Sequence, residues 1–510
     1  MSGRVHKSVL NAEVNLIFYF ITLVLAFFSR KIFLDCLGAE FIGLTGTLGN
    51  ILGYLNLAEL GITACIGYFL FKPLQTNNRQ EIQDILSLLG YLYNWIGIII
   101  LTGGIIISIF FPLIFAKAEL GLGIIYFAYY SFMGSSLIGY FINYRQILLT
   151  ADQKNYLVAI YFHSANIMKI ILQIFLAYTY QNLYIWVGVE FLFGIFGCII
   201  LNWKINREYP WLNVDKSRGR TLLKQYPEII TKTRQVFIHR IKDFFLIKSD
   251  ELFIFLFVSL KMVAYYGNYM IITSKLISLF SSITGSVGAS IGNLVAEGDK
   301  AKMIRVFWEY TTIQHTIANT ICFSLYAFIE PFISHWLGAE YIMDHKILIL
   351  LIIFLYISNS RGSVDAFNYA HGLYADVWSA WAELIINISI TIICGLKWGI
   401  LGILLGKITS LVAIVVIWKP YYLFSEGFKE SVCIYWRGVL RNYIISGFAF
   451  SFSLYLVHYV PINPYYSIWN WSIYAAIGMI IFLTIDLSVT LLFAKGAKDS
   501  CNRIKNIWKR

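Results

Sequence analysis

Charge is scarce in this 510-residue chain: Asp, Glu, Lys and Arg make up 13% of it, against 58% hydrophobic residues. A soluble domain carries about 25% charged residues, so most of the chain is excluded from forming a water-facing surface. Proline is scarce too, with eight in total, at Pro73, Pro112, Pro210, Pro227, Pro331, Pro420, Pro461 and Pro464. All fall in expected loops or at expected helix ends, so any bend within a span is left to glycine. The seven cysteines, Cys36, Cys65, Cys198, Cys322, Cys394, Cys433 and Cys501, lie far apart with no CxxC, which excludes a disulfide framework and leaves them as buried small residues. The eight histidines show no metal-ligand spacing, and no Walker A, DxD or GxGxxG string sits in a loop. No cofactor and no metal site is expected. The longest outer loop runs only from about Val457 to Trp469, too short for a catalytic domain, so an integral membrane enzyme of polysaccharide assembly is a weak alternative.

Long hydrophobic runs are abundant. From Val14 to Phe493 the chain reads as span after span, with a mean hydropathy of +0.68 and 17% aromatic residues. We count about fourteen bilayer-crossing segments. They are expected to be helices, because lipid offers no partner for backbone N–H and C=O groups, and a barrel needs short alternating strands. The fold class is therefore an all-α polytopic membrane protein.

Basic residues set the orientation. Most Lys and Arg fall in alternate loops: near the N-terminus (Arg4, Lys7), at Lys72 and Arg79, at Arg145 and Lys154, from Lys204 to Lys242, at Lys300 to Arg305, at Lys419 to Arg441, and in the tail after Lys495. The positive-inside rule then places both termini in the cytoplasm. The net charge of +12 is a topology signal, and no nucleic-acid partner is expected, since the basic residues are spread loop by loop. Met1 to Lys7 is a short basic lead with no small-residue cleavage site behind the first apolar run, so the first helix is expected to be its own insertion signal.

The longest polar stretch, Lys204 to Lys242, holds Pro210, Pro227 and a basic amphipathic run, RQVFIHRIK, suited to an anionic leaflet. It divides the chain into an N-terminal six-helix lobe (1–203), a basic cytoplasmic linker (204–239) and a C-terminal six-helix lobe (240–420). The remainder (421–510) holds two extra spans and a basic tail. Glycines line one face of the second span (Gly43, Gly46, Gly49, Gly53) and of the eighth (Gly285, Gly288, Gly292). Such a seam lets a neighbouring backbone approach or lets the helix bend. Its recurrence in both halves fits a transporter built from parallel repeats.

Chemistry must then come from charges inside the spans, each costing about 2.5 to 3.5 kcal/mol to insert at the centre. Arg361 with Asp365, and Lys248 with Glu251, have spacings at which each pair neutralises itself on one helix face. Lys169, Lys407 and Asp486 have a snorkelling alternative. Arg30, Glu59, Asp250, Lys275 and Arg361 are candidates to line a polar path, where several cations suit a phosphate or pyrophosphate.

Two strings carry a resemblance. SRKIFLDCLGAEFIGLTGTLGNILGYLNLAELGI, followed by KPLQTNNRQEI, and KSDELFIFLFVSLKMVAYYGNYMIITSKLISLFSSITGSVGASIGNLVAEGD resemble the polysaccharide transporter, or oligosaccharide flippase, family. This family lies in the multidrug/oligosaccharidyl-lipid/polysaccharide exporter superfamily. The resemblance implies two six-helix lobes with pseudo-twofold symmetry plus two C-terminal helices, in a bacterial cytoplasmic (inner) membrane. It implies flipping of undecaprenyl-pyrophosphate-linked O-antigen, capsule or exopolysaccharide units from the inner to the outer leaflet. H+ or Na+ would be the coupling ion, and polysaccharide polymerase machinery a partner. On that reading Arg30, Lys248, Lys275 and Arg361 contact the pyrophosphate, Asn50 meets sugar, and Glu59, Asp250 and Asp365 couple the ion. Arg30 matches the family's basic residue at the end of the first helix, and Glu59 the acid of its LAELG motif. The chain departs from relatives at Lys248-Ser249-Asp250-Glu251, and it has no proline in the first helix. A cation-coupled drug or toxin antiporter is the alternative.

Overall fold

The computed structural model describes residues 2–56, 62–152, 154–230, 233, 249–284, 291, 294–295, 297–373 and 376–500. The described residues form helices joined by short turns. Ten helices are long and apolar enough to cross a membrane: those reading Ile17–Leu37, Arg79–Ile109, Leu122–Phe141, Asn155–Tyr180, Leu183–Glu208, Lys300–Trp336, His345–Ala370, Trp378–Trp398, Ile400–Gly427 and Ile468–Phe493. The remaining places marked by hydropathy are taken by Ala39–Leu55 with Ile62–Thr76, by the helical residues 249–257, by Leu260–Thr284 and by Cys433–His458. The chain is therefore all-α and polytopic, as its hydropathy predicts. Its outer surface is apolar where a soluble protein would be polar: Leu113 is 78% exposed and Leu492 68%, a surface that only lipid covers without cost.

The chain divides into two compact units, Met1–Ala264 and Tyr265–Arg510. In the first, the helix Ser2–Leu37 ends at Gly38, whose φ of 85° is open to glycine at little cost, and Ala39–Leu55 begins at once. The same LGAE tetrapeptide recurs in the second unit, where Gly338 (φ 124°) follows the helix Lys300–Trp336. Caps start the other long helices. Asn78 accepts from the Glu81 N–H and donates to the Glu81 carboxylate, and Asn182 accepts from the Tyr184 and Ile185 N–H groups.

Part of the stretch after Glu208 is a docked strap. Gln83 donates to the Trp211 carbonyl at 2.7 Å, Arg218 pairs with Asp84 at 3.0 Å, and Leu222 is fully buried. A Cβ at Gly219 would overlap Tyr91. The Tyr209 hydroxyl donates to Asp152 at 2.8 Å, and burial, with that carboxylate beside it, pushes the phenol far above its usual range. The basic run RQVFIHRIK lies outside the described residues.

In the second unit Lys300–Trp336 is the central helix, and its side chains set the core. Phe307 packs edge-on against Phe367, Phe424 and Phe428, while Phe323 stacks on Phe482 with ring centroids 4.2 Å apart. Close approach needs missing side chains: a Cβ at Gly438 would overlap Trp308, and one at Gly402 would overlap the Cys394 backbone. Prolines also enter the helices themselves: Pro73 lies inside Ile62–Thr76 and Pro331 inside Lys300–Trp336, each within two turns of the C-terminal end. Pro420 lies inside the helical run Ile400–Gly427, not at its end, because π-helical turns at Leu411–Trp418 and Leu423–Gly427 flank it. A widened turn changes the hydrogen-bond register and absorbs the missing N–H.

Candidate functional site

In the first unit the charged and polar candidates converge on the segment 249–264. Its helix breaks at Val258 and Ser259, and the Ser259 hydroxyl accepts from the Met262 N–H at 3.2 Å. Arg30, near the end of the first helix, donates from a guanidinium nitrogen to the Ala264 carbonyl at 2.9 Å. Asn50 on Ala39–Leu55 donates to Glu251 Oε2 at 2.6 Å. The glycine seam explains why this contact is possible. A Cβ at Gly46 would stand 3.2 Å from that carboxylate oxygen, and one at Gly43 would overlap the Leu260 carbonyl, whereas Gly49 has nothing within 4 Å. The seam therefore serves close packing at Gly43 and Gly46. Gly285, Gly288 and Gly292 of the other seam lie outside the described residues.

Asp250 is buried at 4% exposure beside Glu251. Glu59 and Lys248 lie outside the described residues. The i,i+3 spacing that pointed from Lys248 to Glu251 missed Asn50 as a partner of Glu251. Nothing local signals Asn50, which stands 201 residues away.

Lys169 and Glu190 form an ion pair at 2.6 Å between neighbouring helices, and Gln173 donates to the same carboxylate at 3.0 Å. This replaces the snorkelling alternative for Lys169: a carboxylate one helix away is a better partner than the distant interface.

In the second unit Arg361 sits at the junction of His345–Ser360 and Gly362–Ala370, and its Nε pairs with Asp365 Oδ2 at 3.0 Å. The pair is half-exposed. The packing behind it is tight, since a Cβ at Gly362 would meet the Gln314 side chain. Lys275 is half-buried on Leu260–Thr284.

Two further polar groups were not marked as sites. Ser379, Glu383, Asn387 and Thr391 recur every fourth residue on Val377–Trp398, each at or below 2% exposure. The facing helix carries Gly406, whose Cβ would overlap Thr391, and Lys407, buried at 6% with its ammonium 4.7 Å from the Phe354 ring centroid. Asp486, 1% exposed, accepts from Asn319 at 2.6 Å. Burial of both Lys407 and Asp486 overturns their snorkelling alternative. A lone polar residue inside an apolar run was the available signal. Among the described residues no group of three His, Cys, Asp or Glu side chains is placed to hold a metal ion.

Among the described residues, the arrangement offers cations and carboxylates inside spans, several of them hydrogen-bonded or ion-paired. No protein-family model matches the sequence, and no curated protein matches it. Among solved structures, the chain is similar to the lipid II flippase MurJ in an inward closed conformation. The TM-score is 0.69 at 15% identity, over 93% of this chain and 99% of that one. It is also similar to an inward-facing multidrug resistance MATE family transporter of the MOP superfamily. There the TM-score is 0.59 at 14% identity, over 80% of this chain and 95% of that one. At such identities the likeness is one of fold, and the chain is a multi-pass all-α membrane protein built on the fold that this flippase and this transporter share.

Proposed function

We propose that the chain is a flippase moving an undecaprenyl-pyrophosphate-linked oligosaccharide, a repeat unit of O-antigen, capsule or exopolysaccharide, from the inner to the outer leaflet of a bacterial cytoplasmic membrane. The observation that carries the reading is the extent of the fold likeness: the lipid II flippase fold runs over 93% of this chain, the MATE fold over 80%. The physics of the substrate class agrees. Each buried CH₂ is worth about 0.8 kcal/mol, so a polyprenyl tail stays in the bilayer and only the sugar pyrophosphate needs a polar path. Arg30 and Arg361 are guanidinium groups inside spans, and a planar fork matches phosphate oxygens two at a time. On this reading Lys248 and Lys275 add positive charge for the pyrophosphate, and Asn50 serves sugar. Glu59, Asp250 and Asp365 respond to H+ or Na+, whose passage across 100 mV supplies about 2.3 kcal/mol per charge. Arg361 releases Asp365 when phosphate arrives.

The test is complementation of a deletion strain. Wild type is expected to restore surface glycan, while Arg30→Ala and Arg361→Ala insert normally and leave undecaprenyl-pyrophosphate repeat units on the cytoplasmic face. Normal export by both variants removes these residues from the path. Unchanged glycans in the deletion strain, with altered sensitivity to cationic drugs, favour the antiporter that the MATE likeness keeps as the second reading.

A further inference from the structure

Within the second unit, a series of hydrogen-bonded side chains crosses four helices away from the Arg361–Asp365 pair. Asn319 uses both amide hydrogens: one goes to Asp486 Oδ1 at 2.6 Å, the other to the Ser446 carbonyl at 3.2 Å. Ser446 also hydrogen-bonds the Tyr356 hydroxyl, which meets His315 Nδ1 at 2.8 Å. His315 is 5% exposed and packs edge-on against the rings of Tyr356 and Tyr443. Its neighbour Gln314 lies against Gly362, beside Arg361. The far end of the series is unusual. Asp486 Oδ2 has no hydrogen-bond partner, and among the described residues no Lys, Arg or His pairs with this carboxyl. One turn before Ser446 on the same helix face, Asn442 is 2% exposed with both amide atoms unpartnered.

We propose that Asp486 is a proton-binding site of the second unit, with Asn319 holding Oδ1 and the proton carried on Oδ2. An ionised carboxylate sealed in apolar surroundings with one oxygen unpartnered is strongly disfavoured, and a buried polar group of this kind calls for an explanation. A proton on Oδ2 removes the charge. The step balances simply: an O–H bond forms at Oδ2, and the hydronium that supplied the proton becomes water. The titratable groups around Asp486 and Tyr356 are His315 and Cys322 on Lys300–Trp336, Tyr443 on Cys433–His458 and Tyr356 itself. Arg437 and Arg441 of Cys433–His458 are exposed, and Glu309 lies at the Gly496 end of the central helix. The purpose of the site rests on the transporter reading, where a bound proton is the natural coupling ion, but its existence is read without any transport substrate.

The test is infrared difference spectroscopy of the purified full chain in lipid, titrated in pH. The expected result is a protonated-carboxyl C=O stretch that disappears on raising the pH, is missing from Asp486→Asn, and returns displaced in Asp486→Glu. A titrating band that persists in Asp486→Asn, no titrating band in wild type, or loss of the band on adding Na+ at constant pH overturns the proposal. If Asp486→Asn fails to fold, Asp486→Glu still decides: the band is expected to return displaced, and a titrating band at the wild-type position in that variant overturns the proposal. Failure of glycan export in a deletion strain speaks to the flippase reading alone, so the two failures are distinguishable.

Discussion

Lys169 and Glu190 show what a charge inside a span requires. The ammonium and carboxylate meet at 2.6 Å, and Gln173 ties the carboxylate to its helix neighbour. Removing one member strands the other in an apolar setting, which costs about 3 to 5 kcal/mol, while removing both leaves little uncompensated. Lys169→Met is therefore expected to lower thermal stability in detergent more than the double variant Lys169→Met, Glu190→Gln, as scored by scanning fluorimetry. Equal losses in the two would show that the pair contributes no coupling. At this scale the sequence reveals which residues are out of place, because any charge inside an apolar run stands out. It hides their partners: Asn319 is 167 residues from Asp486 and Asn50 is 201 from Glu251, and no local spacing connects them. Arg361 and Asp365 were legible as a pair because four residues is one helical turn.

Helices in this chain are specified mainly by what lipid forbids, and their contacts by small residues. Gly43 and Gly49 share a seam yet differ in surroundings, one against the Leu260 carbonyl and the other in open space. Gly43→Ala is expected to destabilise the first unit by about 1 to 3 kcal/mol through forced separation of helices. Gly49→Ala is expected to be neutral or stabilising by up to about 1 kcal/mol, since alanine is the better helix former. Thermal melts of the two variants check the contrast, and the reverse order would mean the seam is not a packing surface. The spans themselves were legible because a bilayer sets a minimum length for every apolar helix. The run through Pro420 was not, because a π turn depends on hydrogen-bond register and leaves hydropathy unchanged. The strap residues that dock through Trp211 and Arg218 were also hidden, since their polar composition reads as a linker.

For the whole molecule, hydropathy marks a multi-pass membrane protein, and its fold is similar to that of a lipid II flippase over 93% of the chain; a lipid-linked substrate is what we propose for it. Composition says nothing of which sugar the lipid carries, because sugar recognition rests on a few hydroxyl-directed contacts that periodicity does not encode. The flippase account also predicts a salt-sensitive step. If guanidinium groups meet a pyrophosphate in a wet path, raising ionic strength from 0.1 to 1 M shortens the screening length from about 10 to 3 Å and should slow uptake of the headgroup. The most direct test reconstitutes the purified protein in proteoliposomes carrying undecaprenyl-pyrophosphate oligosaccharide in one leaflet, and follows its exposure to an enzyme or lectin confined to the other side. The account predicts protein-dependent exposure that Arg30→Ala and Arg361→Ala abolish. Exposure no faster than in protein-free vesicles, under an imposed H+ or Na+ gradient, would contradict it.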